Sequence, residues 1–168
     1  MQASDEQERA ARRLSFAWFN EVLFLFPGVS AWVLGVRAAF DTPLGFGYPV
    51  HMSTAEQWAL ALALMLAGIG GAALRASRRL RPAEIARHVR DSAVGGTPLE
   101  RVELEIRAAQ FSVHEVLHLP TVGFLGFGVI FNSDIALMLS IGYSLLVFIL
   151  MRPDDQRLVR DTMLELQR

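Results

Sequence analysis

Four apolar runs, 22–40, 57–74, 116–131 and 135–151, set the terms on which this 168-residue chain can fold. Each is near the length at which a helix crosses a hydrocarbon core of ~30 Å. A soluble domain can hide one such helix in its core. Four of them leave too little polar surface to cover the rest, because only 20% of the residues are charged and the mean hydropathy is +0.33. The expected fold class is an all-α integral membrane protein with four transmembrane helices, the last two joined by a tight turn at "NSD" 132–134.

The basic residues orient these spans. All sixteen are arginine. They gather before the first run (Arg9, Arg12, Arg13), after the second (Arg75, Arg78, Arg79, Arg81, Arg87, Arg90) and after the fourth (Arg152, Arg157, Arg160, Arg168), while 41–54 and the "NSD" turn carry none. The positive-inside rule then puts both termini and the central loop in the cytoplasm, with a bacterial inner membrane as the expected location. Arg37, near the outer end of the first run, is expected to snorkel to the interface, and Trp32, at mid-span, to serve in packing. The first fifteen residues lack the apolar stretch of a secretory signal peptide. No cysteine is present, which excludes thiolate metal sites, disulfides and a Cys nucleophile; the net charge of −1 gives no reason to expect a nucleic-acid partner.

The polar segments carry helix signals. "TPLE" 97–100 and "STAE" 53–56 read as capping boxes, and "SDEQ" 4–7 as another start signal. Leu99, Val102, Ile106, Ala109 and Val113 recur at helical spacing, so this helix is expected to lie along the cytoplasmic interface or rise from it into the third run. Pro82 begins a short helix, Gly95-Gly96 breaks the linker, and 154–168 reads as an amphipathic tail helix.

The two halves also resemble each other. "NEVLFLFPGVSAWVLGV" 20–36 and "HEVLHLPTVGFLGFGV" 114–129 share Glu-Val-Leu-x-Leu and then Pro, with one extra residue before Pro27. Arg13 and Arg107 each lie eight residues before the shared Glu, as candidate partners for it, and both halves close on Arg-Pro. The organisation expected is a first repeat, 1–82, a cytoplasmic linker, 83–96, a second repeat, 97–153, and the tail, 154–168. Both repeats enter the membrane from the same side, so a pseudo-two-fold axis along the membrane normal should relate them.

His114, Glu115 and His118 form His-Glu-x-x-His. On a helix this puts two imidazoles on one face to hold zinc, with the Glu as general base. A catalytic zinc needs a third protein ligand, and Glu21, delivered by the repeat, is the first candidate, followed by His88 and Asp154; Asp134 falls at the far side. The resemblance to intramembrane zinc peptidases covers these five residues, and their second motif is absent. Glu115-x-x-His118 also has the spacing of carboxylate-bridged di-iron bundles, but only one such pair occurs. The first half carries Asn20 and Phe24 where the second has the histidines, so the repeated element is the Glu-Val-Leu core and not the ligand pair.

The expected role is therefore non-catalytic: an accessory, assembly or interaction subunit, with no cofactor and with the bilayer and other membrane subunits or further copies as partners. A zinc-dependent membrane hydrolase using 114–118 is the alternative. An oligomeric channel or carrier comes third, because no ionisable residue marks the middle of a span.

Overall fold

In a computed structural model the chain is described at residues 2–24, 26–40, 52–92 and 95–168, without the side chains of 2–4, 21–23 and 26. Every regular element among these residues is an α-helix: α1 Gln2–Leu23, α2 Phe26–Phe40, α3 Thr54–Arg79, α4 Pro82–Asp91, α5 Pro98–Ile130, α6 Asp134–Leu150 and α7 Asp155–Leu166. Two capping boxes form as the sequence requires. Thr97 N–H donates to Glu100 Oε2 at 2.8 Å while Glu100 N–H donates to Thr97 Oγ1 at 3.2 Å, and Ser53 and Glu56 repeat the pattern at α3. The bond from the Thr97 amide, followed by the one involving its side chain, holds the Glu100 carboxyl below its ordinary range. Gly96, at φ 121°, turns the chain into α5 through a conformation that only glycine adopts without strain. At the N-terminus the helix already runs from Gln2, so "SDEQ" lies inside α1 and does not start it.

Helix lengths differ from the expected spans. The run 22–40 is divided: Val22 and Leu23 close α1, the helix breaks after Phe24, and α2 resumes with Pro27 in its first turn, where a missing N–H removes no bond. Pro120, its counterpart, sits inside an unbroken α5 of 33 residues. The difference lies in the neighbours. Gly68 of α3 and Tyr143 of α6 close around the Pro120 ring and hold α5 on course through the lost hydrogen bond. By length and composition α3 and α5 can each cross a membrane; α6 and α7 make a third crossing only as one span bent by 51°.

Two apolar cores share α5. The first gathers Trp18 of α1, Ala61 and Ala72 of α3, Val113, Leu117 and Phe124 of α5, and Tyr143 and Val147 of α6. The second joins Ala11 and Leu14 of α1, Ile85 and Val89 of α4, Val102 and Ile106 of α5, and Leu158 and Val159 of α7. The N-terminal half of α5 continues unbroken into the third apolar run and is the centre of a small bundle with α1, α4 and α7. Burying a Val, Leu or Ile stabilises by about 1.5–3 kcal/mol. Four amphipathic stripes meeting at one level gain more by burying each other than by lying separately on a surface. A fork of hydrogen bonds from Arg13 Nε and Nη2 to Glu103 (2.7 and 2.5 Å) ties α1 to α5 at the rim of this bundle and raises the affinity of the Arg13 guanidinium for its proton.

At the opposite end α5 stops on Asn132 in the left-handed region (φ 55°), and Ser133 N–H reaches back to Gly128 O at 2.9 Å, closing the turn as a Schellman-type cap. Gly128 permits this hairpin: a Cβ there would meet Leu137 Cγ at 2.6 Å. Arg37 finds partners within the chain. Its guanidinium reaches Asp134 Oδ1 at 2.9 Å and the Asn132 carbonyl at 3.1 Å, which pins the end of α2 to the hairpin turn. Trp32, expected to serve in packing, is 66% exposed in the single chain, because the face of α2 that meets α6 is the one bearing Ser30 and Val33.

Candidate functional site

His-Glu-x-x-His lies where the two cores meet. The helix separates its three polar residues by role. His114 is buried and its ring lies 4.0 Å, centroid to centroid, from the indole of Trp18 on α1. His118, one turn on, is half-buried with its ring 5.7 Å from that of His114. The two imidazoles therefore share one face of α5, as the spacing requires. Glu115 points elsewhere. It is exposed, and its Oε2 lies 3.7 Å from Arg75 Nη2 of α3. Arg13 and Arg107 are the partners that the repeat suggests for its glutamates, but Arg13 is taken by Glu103 and Glu115 is met by Arg75.

The candidate third ligands are dispersed. Glu21 occupies α1 three residues after Trp18, and its side chain lies outside the described residues. His88 is on α4, where its Nδ1–H donates to the Glu84 carbonyl at 2.8 Å. Asp154 caps α7 by accepting from Arg157 N–H at 3.0 Å. Asp134 belongs to the far end, since the sixteen helical steps from His114 to Ile130 span about 24 Å. His51 lies outside the described residues. Among the described residues no group of three His, Asp or Glu side chains converges as a metal site.

Two polar constellations emerge that sequence reasoning does not single out. Asp155, 3% exposed at the first turn of α7, accepts from Ser15 Oγ of α1 and Gln110 Nε2 of α5, both at 2.6 Å. Burial raises its carboxyl pKa, and the bonds from Ser15 and Gln110 act against that rise. Its neighbour Asp154 makes the pair "DD" look like an ordinary helix start, so no sequence signal marks Asp155. The second constellation is a ladder of hydroxyls inside the apolar bundle. Ser30 Oγ donates to Ser140 Oγ at 2.8 Å, Ser140 Oγ to the Thr121 carbonyl at 3.3 Å, and Thr121 Oγ1 and Ser144 Oγ meet at 3.3 Å. It joins α2, α5 and α6 at a depth where the sequence suggests wholly apolar spans. The spacing Ser140-x-x-x-Ser144, one face of one helix, is the available signal.

A further identity between the halves becomes visible once α4 and α7 are seen packed together. Arg87-His88-Val89-Arg90-Asp91 and Arg157-Leu158-Val159-Arg160-Asp161 share four of five residues, and Val89 and Val159 are both buried in the second core. No family model matches this chain, and neither does a curated protein or a solved structure.

Proposed function

We propose that the protein is a non-catalytic, four-span membrane subunit that holds a small helical domain against the arginine-rich face of the bilayer, for assembly with other membrane subunits or with further copies of itself. α2, α3, the C-terminal half of α5 and α6 are the spans; α1, α4, the N-terminal half of α5 and α7 form the domain. The apolar outer surface supports the membrane assignment. Trp32, Phe40, Trp58, Leu62, Leu66, Leu119, Met138 and Ile149 are all exposed on the proposed spans, a belt that a soluble monomer rarely shows. α2 and α6, at about 22 and 26 Å, are short for a ~30 Å core, and the exposed Phe19 and Phe24 at the end of α1 extend the apolar surface past the break.

The reading of a tandem repeat draws support from reciprocal packing. Exchanging the halves pairs α1 with the start of α5, α2 with its end, α3 with α6 and α4 with α7. The contact of α1 with α7 then corresponds to that of α5 with α4, and α2 with α6 to α5 with α3, and all four occur. Among the described residues the close α5–α6 hairpin has no comparable α2–α3 contact, so the exchange is incomplete.

The observation that carries the non-catalytic role is the use made of the motif: the His114 ring packs, tilted by 47°, against Trp18 of α1, and Glu115 faces Arg75. Zinc hydrolysis stays as a second reading because the two imidazoles share one face at the end of α1 that bears Glu21. Metal content separates the two. Protein purified without chelator is expected to hold far less than one zinc per chain, and His118→Phe, the first-half residue, is expected to fold and assemble as the parent does. Stoichiometric zinc lost on His118→Phe would establish the second reading.

Topology is tested separately. Reporters fused at the N-terminus, at Gly95-Gly96 and after Arg168 are expected on the cytoplasmic side, and one within 45–49 on the other. Opposite sides for Gly96 and Arg168 would refute both the hairpin of spans and the parallel repeat.

A further inference from the structure

Where α3 leaves the apolar bundle, a cavity of about 170 Å³ opens between α3, α4 and α5. By the same measure a single water needs only about 10–15 Å³. Its polar lining is Arg79, His88, Glu105 and Ser112, backed by Ile85 and Ala109. Two of these groups carry opposite charge yet remain apart. Among the described residues neither Arg79 nor Glu105 forms a hydrogen bond or ion pair within the chain, although both line the one cavity. The other two have their donors committed: Ser112 Oγ–H to the Ala109 carbonyl at 2.9 Å, and His88 Nδ1–H to the Glu84 carbonyl at 2.8 Å. Ser112 Oγ therefore offers lone pairs, and His88 turns Nε2, the ring nitrogen not bonded to the Glu84 carbonyl, to the cavity as an acceptor. The cavity presents one cation beside three acceptors, one of them anionic.

On the membrane reading above, on which this inference rests, the cavity opens at headgroup depth at Arg79 and Ser112 and runs outward to Glu105, eleven residues or about 16.5 Å before Val116. Arg79 is five residues past Leu74, the end of the apolar run, or about 7.5 Å along the helix, and Ser112 is about 6 Å before Val116. The interfacial layer on each side of the core is of that thickness, about 5–8 Å.

We propose that this cavity binds the headgroup of a zwitterionic phospholipid with a primary amine, such as phosphatidylethanolamine. The phosphate pairs with the Arg79 guanidinium. The ammonium donates to the Glu105 carboxylate and to His88 Nε2, both on the cavity wall. An anionic glycerol headgroup lacks the cation that Glu105 requires, and a choline headgroup has no N–H to donate. Specificity thus comes from the amine, and Arg79 contributes to any phospholipid.

The full chain is purified in detergent, exposed to equal amounts of phosphatidylethanolamine, phosphatidylglycerol and phosphatidylcholine, and the lipids retained per chain are counted by native mass spectrometry. The ethanolamine lipid is expected to be enriched about tenfold over the other two, a difference of about 1.4 kcal/mol. Glu105→Gln is expected to bring that ratio to about twofold or less. Arg79→Gln is expected to reduce retention of all three lipids, and Arg79→Lys to preserve the enrichment, which separates loss of charge from loss of fold. Equal retention by the parent chain, or enrichment unchanged in Glu105→Gln, would overturn the site. Displacement of the lipid by stoichiometric O-phosphoethanolamine would overturn a lipid as the occupant. A chain that needs no detergent and retains no lipid fails the membrane reading itself, whereas one that needs detergent and retains lipid without preference fails only this inference.

Discussion

Replacing Gly68 with leucine is expected to detach α3 from the rest of the apolar bundle, with a loss of about 3 kcal/mol or more. A Cβ at this position would lie 2.5 Å from Pro120 Cγ and 2.5 Å from Tyr143 Oη. Neither neighbour can yield cheaply. The proline ring is rigid and set inside α5, and Tyr143, 1% exposed, is held within the first core. Even Gly68→Ala places an atom in that gap, so α3 must move as a body. The same contact supports α5 across the residue that lacks an N–H, so the damage extends to α5 itself. Gly70, two residues on, has nothing within 4 Å of an added Cβ and is the matched control. Thermal unfolding in detergent should show a loss of about 6–12 °C for Gly68→Leu and less than about 2 °C for Gly70→Leu. Equal melting of the two variants would refute the close α3–α5–α6 approach.

Asp155→Ala is the second large effect, expected to cost about 2–3 kcal/mol. Removing the carboxylate leaves the Gln110 amide and the Ser15 hydroxyl without their acceptor, in a place where Gln110 is 3% exposed. Asp155→Asn keeps the shape and one acceptor, and the Gln110 amide can reverse to accept from the new NH2; a loss within about 1 kcal/mol is expected. The pH dependence distinguishes burial from pairing. Because burial raises the carboxyl pKa above 3.8, the folded chain binds this proton more tightly than the unfolded one. The stabilisation by protonation is thus complete below 3.8 and is lost as pH rises through the folded value. Relative to Asp155→Asn, the parent should gain in melting temperature as pH falls from neutral through the acid range. A parent that instead loses ground to the Asn variant on acidification would show that the two donors favour the carboxylate by more than burial disfavours it.

The capping boxes at Ser53 and Thr97, the helical class and the apolar stretches of α3, α5 and α6 are legible in the sequence because each depends on residues within one or two turns of each other. The run 22–40 is not, because its continuity depends on distant neighbours. Pro27 and Pro120 have similar local sequence, yet only Pro120 has Gly68 and Tyr143 packed on it, and only α5 runs through. The amphipathic stripes are also correctly periodic. Periodicity gives the face that must be buried and leaves open what buries it. Four such stripes bury one another, which no single stripe could reveal.

His-Glu-x-x-His shows the same division. The sequence by itself determined that His114 and His118 share a helix face, since 3.6 residues per turn requires it. Only the tertiary structure decided that Trp18 lies against that face, that Glu115 turns toward Arg75, and that Asp155, Ser15 and Gln110 meet from three distant helices. Local hydrogen bonds and helical period are fixed within a few residues of chain. The partners of a side chain depend on which helices converge, and that is settled by the burial of all their apolar faces at once.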